Sequence, residues 1–368
     1  MKPRLLIRLE TDIGGSLHSV AADCLRCERA AYVACLGDFE AAVEEVAAVQ
    51  RRHASQPNAA ISAWSSFAEA MVSHHSDLET AAVDKMKRAY ALSKAVRLRP
   101  LHALGAAWLA HFSYLRMDIA SMACLAAEAL QTAHPDHHVS RARANLVVAE
   151  AYDEGGRLDL ARPWYANARY HAAQDGDDAT LSSVMWTMGS LRVAALQQAA
   201  DNGPTDTTAG EHALLSVESA ARFDELLGMR SRRSLHLVLR AQLCMLLGRS
   251  DEALVLYDDA QRAAMACQGT NAVSGLSLAD RAWCRFNAGR EPDAKRDAEA
   301  AGLALVGEVS AGRRLAGHRR LVQLYSALGE APRAQRHHVL EAGARESRRA
   351  EQRGLVEAMN REFAMTAA

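Results

Sequence analysis

The sequence predicts an all-α chain, a solenoid of about eight helix-turn-helix repeats with a period near 40 residues. Three observations predict it. Apolar residues recur at three- and four-residue spacing along most of the 368 residues. The glycines that break these runs are evenly spaced: Gly248, Gly289 and Gly329 lie 41 and 40 residues apart, and Gly37 to Gly156 is 119, close to three such units. The composition is 49% hydrophobic but only 5% aromatic, with eight prolines, which suits closely packed helices rather than a strand-rich sandwich.

The clearest repeat runs from Ala142 to Ala173. Leu146, Ala149 and Tyr152 fall at helical spacing, widened by Val147 and Val148. Gly155-Gly156 then breaks the helix, because glycine tolerates the left-handed conformation that commonly closes one. Asp159 is placed to cap a second helix in which Leu160, Ala161, Trp164, Tyr165 and Ala168 repeat the rhythm. Pro163 is expected in that helix's first turn. Counted from Ala142, the marked positions are Ala149 at eight, Tyr152 at eleven, Gly156 at fifteen, Ala161 at twenty, Tyr165 at twenty-four and Ala168 at twenty-seven.

This pattern resembles the tetratricopeptide repeat, in which small residues at eight and twenty let paired helices approach and bulky ones fill the space between hairpins. Its period near 40 is similar to the long-helix variants of bacterial signalling and transcription regulators. The resemblance implies a right-handed superhelix whose first helices line a concave groove.

Residues 1–15 are left between strand and capping turn. Hairpins follow over 16–36 with Phe39–Val49, 58–74 with 77–98, and His102–Leu115 with Ile119–Thr132; the last two have no turn glycine. After the Ala142 hairpin, a helix over Asp178–Ala199 leads into ADNGPTDTTAG at 200–210, expected as a flexible surface loop, and a second helix runs over Glu211–Leu227. Three cleaner repeats turn at Gly248, Gly289 and Gly329, with Pro292 and Pro332 just inside new helices. The chain thus divides into N-terminal repeats over 16–199, C-terminal repeats over 211–331, and a long helix from 332 towards 368. Leu355, Val356, Met359 and Phe363 on that helix make an apolar stripe, suited either to capping the array or to docking another protein.

A formal net charge of −1 advertises neither nucleic acid nor an anionic membrane. No apolar stretch approaches the length of a membrane span, and Arg4, Arg8, Glu10 and Asp12 interrupt any signal-peptide core. Seven scattered cysteines suggest reduced thiols in a cytoplasm. The sequence leaves a homodimer open.

Clusters that could carry chemistry are few. Cys24, Cys27 and Cys35 lie within one helical pattern and read as small packing residues rather than a zinc or redox site. His134, His137 and His138 with Asp136 are the most metal-like group, but local spacing alone is a poor argument for coordination, and no metal or cofactor is expected. The basic run Lys85–Arg99 lacks aromatics for base stacking beyond Tyr90 and reads as a solvated face. No phosphate-binding loop, dinucleotide fingerprint or catalytic signature occurs, so no enzyme is expected.

If the tetratricopeptide geometry holds, positions two, five, nine and twelve of the first helices face the groove. They supply Arg143, Glu150 and Asp153, then Gln242 and Met245, then Trp283 and Phe286, then Arg319 and Gln323. The family's carboxylate clamp of lysine and asparagine is missing: positions five and nine hold Leu146 and Glu150 in one repeat, Val238 and Gln242 in another. The expectation is a protein- or peptide-binding scaffold. A rival expectation comes from resemblance to the sensory arrays that precede output domains such as diguanylate cyclases; there the final helix would act on a separate effector.

Overall fold

The computed structural model describes residues 2–16, 18–76, 79–200, 206–229, 232–266 and 274–363. Among them are seventeen helices and no strand. They form two compact units, one of residues 1–184, 224–231 and 354–368, the other of 185–223 and 232–353.

The first unit begins with α1 (Arg4–Gly15). The segment that the sequence leaves unassigned is therefore helical: Leu5 and Leu9, four apart, are buried on one side. Hairpins α2 (Ser19–Leu36)–α3 (Phe39–Arg52), α4 (Ala59–His75)–α5 (Glu79–Ala95), α6 (Arg99–Leu115)–α7 (Ile119–Thr132) and α8 (His138–Glu154)–α9 (Leu158–Asp175) follow. First helices pack on first helices where α2 meets α4 and where α6 meets α8, while α6 meets the preceding hairpin mainly through α5. Burial differs within a hairpin: α8 hides twelve side chains spread around its circumference, α9 only five along one stripe. The core of the early repeats joins Trp64, Phe67, Met71, Met86, Leu104 and Phe112.

In the second unit lie most of α10 (Asp178–Ala200) and α11 (Thr207–Leu227), then α12 (Arg233–Leu246)–α13 (Ser250–Ala266) and α14 (Gly275–Asn287)–α15 (Glu291–Ala304). It closes with α16 (Ala311–Ala327) and the greater part of α17 (Ala331–Phe363). Gly275 and Gly317 pack against Leu305, which is fully buried between them.

The turn glycines behave as the sequence predicts: Gly37, Gly156, Gly248, Gly289 and Gly329 all have φ between 71° and 95°. In the α6–α7 hairpin, which has no turn glycine, Met117 takes that conformation at φ 55°. Gly155 has a different reason to be glycine. Its φ is −69°, but a Cβ there would come within 2.8 Å of Val356 Cγ2.

Three local expectations change. Asp159 is not a cap: α9 starts two residues earlier than a cap there would set, at Leu158 with Arg157 as its N-cap, and Arg157 donates to the Asp159 carboxylate at 2.9 and 2.6 Å. Pro163 lies inside α9 rather than in its first turn. The loop expected over 200–210 is shorter, since α10 includes Ala200 and α11 begins at Thr207; residues 201–205 lie outside the described residues.

Candidate functional site

In the second unit the first helices α12, α14 and α16 carry a chain of interlocked side chains. At its centre is Asp280, fully buried, which accepts from Arg320 Nε at 2.9 Å, from Gln242 Nε2 at 3.4 Å and from the Tyr257 hydroxyl at 3.5 Å. Burial pushes Asp280 above the usual carboxylate range, and the Arg320 charge opposes that push. The same burial, with Asp280 next to it, drives the Tyr257 hydroxyl well up. Arg320 also donates to Gln323 Oε1 at 2.7 Å and lies 5.9 Å from the centre of the Trp283 ring. Trp283 and Phe286, one helical turn apart on α14, hold their rings 5.8 Å apart. Both are half-buried, rooted in the core yet open on one side.

The positions expected to face a groove thus divide. Gln242 and Met245 are buried, the first spent on Asp280. Trp283, Phe286, Arg319 and Gln323 remain half-buried, with Arg319 Nε 3.2 Å from Glu341 of α17. Sequence reasoning missed Asp280 and Arg320 themselves. Each lies nine residues before its turn glycine, so they occupy equivalent places in successive repeats, at a position that the tetratricopeptide pattern leaves unmarked.

In the first unit Arg143 and Glu150 are buried, and Asp153 is half-buried, accepting from the Tyr165 hydroxyl at 3.3 Å. The Arg143 guanidinium stacks 4.1 Å over the Trp108 ring. Around Trp108 gather His74, His75, His111 and Phe112, with ring centres 5.6 to 6.4 Å from it. His111 Nδ1 lies 4.0 Å from Glu150. Burial lowers the Arg143 pKa, opposed by the charges of Asp177 and Glu150.

The N-terminal helix α1 makes a second polar constellation in this unit. Arg4 donates to Asp178 from its backbone N–H at 3.2 Å and from its guanidinium at 2.9 Å, and Arg8 pairs with Asp175. Leu5 N–H donates to the Gly176 carbonyl at 3.1 Å. Glu28 on α2 faces the same group, and burial, reinforced by Asp175, pushes it up to about 7. The signal was present in the sequence as two Arg-Leu pairs four residues apart and an Asp-Gly-Asp-Asp run at 175–178, but nothing in either motif says that it meets the other.

The apolar stripe on the final helix is covered within the chain. Leu355, Met359 and Phe363 are buried and Val356 is half-buried. Phe363 meets Trp164 at 5.2 Å between ring centres, Asn360 accepts from the Tyr152 hydroxyl at 3.2 Å, and Val356 fills the space left by Gly155. A partner reaching this stripe must first displace it from the α8–α9 hairpin.

Between α3 and α4 a polar cavity of about 150 Å3 is lined by Gln50, His53, Ser62, Ser66, Glu69 and Arg88. Its polar groups bond one another: Ser66 donates to the Ser62 carbonyl at 2.8 Å and Gln50 to Glu69 at 2.6 Å. The histidines of the 134–138 loop spread apart. His134 is beside Asp136, His137 pairs with Ser140 at 2.8 Å, and His138 with His171 at 2.9 Å. Among the described residues no group of three or more His, Cys, Asp or Glu side chains is placed to hold a metal ion. Burial raises the Cys24 thiol to about 11 and the Cys27 thiol to about 12.

No family model and no curated protein sequence matches the chain. Its fold is similar to a solved one. The crystal structure of a Rap protein complexed with competence and sporulation factor superposes with a TM-score of 0.57 at 11% identity, covering 94% of this chain and 92% of that one. At that identity the likeness establishes a helical-repeat fold. No helix among the described residues is long and apolar enough to cross a membrane.

Proposed function

We propose that this chain is a non-enzymatic scaffold or regulator that binds an extended or helical peptide of a partner protein along α14 and α16. The observation that carries the reading is the strip of Trp283, Phe286, Arg319 and Gln323. Two half-buried aromatic rings stand 5.8 Å apart, with Arg320, held by Asp280, 5.9 Å from the Trp283 ring, and the neighbouring Arg319 on α16 paired with Glu341. Aromatic and arginine side chains dominate binding energy in protein interfaces, and side chains already fixed by packing lose little entropy on binding. A protein of similar fold crystallised in complex with competence and sporulation factor, which supports the reading at the level of fold. Such a scaffold needs no cofactor, nucleic acid or catalytic residue.

The test is selection of a random peptide library on the full chain, followed by binding measurements on the enriched peptides. The Trp283→Ala, Arg319→Ala double variant is expected to lose about 30-fold or more in affinity, the scale of one interface hot spot. Undiminished binding by a folded double variant would sink the assignment to this strip.

A further inference from the structure

The contacts of α1 point to a second recognition surface, in the first unit, independent of the Trp283 strip. This helix is seated the way a bound peptide would be. Its apolar pair, Leu5 and Leu9, is buried. Its basic pair, Arg4 and Arg8, reaches two carboxylates at the α9–α10 turn, Asp178 and Asp175, each itself more than nine-tenths buried. One backbone hydrogen bond, Leu5 N–H to the Gly176 carbonyl, fixes the register. A Cβ on Gly176 would come within 2.8 Å of Arg4 Cβ, so the turn is shaped to the helix lying on it. The helix ends in the exposed Gly14-Gly15, where an added Cβ would meet nothing within 4 Å.

We propose that α1 is a built-in ligand of the face formed by α2 and the α9–α10 turn, and that this face binds a basic amphipathic helix carrying two Arg-Leu pairs four residues apart. Such a helix from a partner protein competes with α1 and releases it. Specificity comes from the two buried carboxylates, spaced to take guanidinium groups one helical turn apart. An acidic or purely apolar helix leaves them unpaired and is rejected.

The test uses the full chain and a fluorescein-labelled peptide of residues 2–15. In the wild type the resident helix scales the apparent affinity for the peptide down to the fraction of time the face is free. An Arg4→Glu, Arg8→Glu chain, with its own helix released, is expected to bind the peptide on the order of tenfold tighter than wild type. Adding Asp175→Asn and Asp178→Asn to that chain removes the carboxylates without offering its own two glutamates a cation, and abolishes binding; so does a peptide carrying the two glutamates. Equal binding by wild type and variant, or binding by neither, overturns the proposal. If the variant does not fold, hydrogen exchange on the wild type decides: excess unlabelled peptide accelerates exchange of the α1 amides from Ile7 to Ile13, and unchanged exchange overturns the proposal.

Discussion

Arg97 adopts φ 58° at the α5–α6 junction, the conformation that Gly176 supplies at the α9–α10 junction. Its side chain is exposed, so its main contribution there is strain of about 1–2 kcal/mol. Arg97→Gly removes that strain and adds roughly 0.4–1 kcal/mol of unfolded-chain entropy, so the variant gains about 0.5–1 kcal/mol, read as a higher urea midpoint. Met117 is strained alike, but its side chain is half-buried, and the packing that a glycine there would forfeit offsets the relief. Arg320 has the opposite character. Its removal strands the Asp280 carboxylate in the core, and Arg320→Ala is expected to cost about 3–5 kcal/mol in denaturant unfolding. Glu28 supplies a pH signature. Its folded pKa, about 7, lies above the ordinary 4.5, so the folded state holds its proton longer than the unfolded chain does. Stability from this group therefore falls as pH rises from 4.5 to 7. Glu28→Gln is expected to flatten that limb and to raise the melting temperature at about pH 8 but not at about pH 4.

At the scale of elements, the hairpins of the later repeats were legible because each announces its turn with a glycine and its close helix contact with alanine. The α6–α7 turn is built on Met117, yet its helices were readable from periodicity alone. Helix α1 was not assignable: six residues of mixed Leu, Ile and Arg satisfy both periods, and the contacts that seat them as a helix are burial of Leu5 and Leu9 and pairs with Asp175 and Asp178, more than 160 residues away. The end of α17 shows the same limit. Its apolar stripe was plain in the sequence, but a stripe does not name what covers it, and its cover is the α8–α9 hairpin. Met359, fully buried there, is expected to cost about 2–5 kcal/mol when replaced by alanine. Gly155→Ala in the same contact pushes on Val356 and destabilises by about 1–3 kcal/mol, relieved when Val356→Ala makes room.

At the scale of the molecule, a 40-residue rhythm of glycine and alanine specifies a helical-repeat array because each hairpin must hide an apolar face against its neighbours. The rhythm is silent on which inward-facing side chains stay available. Arg143, Glu150, Gln242 and Met245 fall at the expected positions and are buried, while Trp283, Phe286, Arg319 and Gln323 are only partly so. Burial depends on how closely successive first helices approach, which is set by residue size at many distant positions rather than by any one motif. The central claim is that the first helices of the later repeats, not the second, carry the ligand surface. Hydrogen exchange on the full chain with a selected peptide measures it directly. New protection is expected to concentrate in α14 and α16 with α13 and α15 unchanged; protection confined to α13 and α15 would contradict a ligand surface on the first helices.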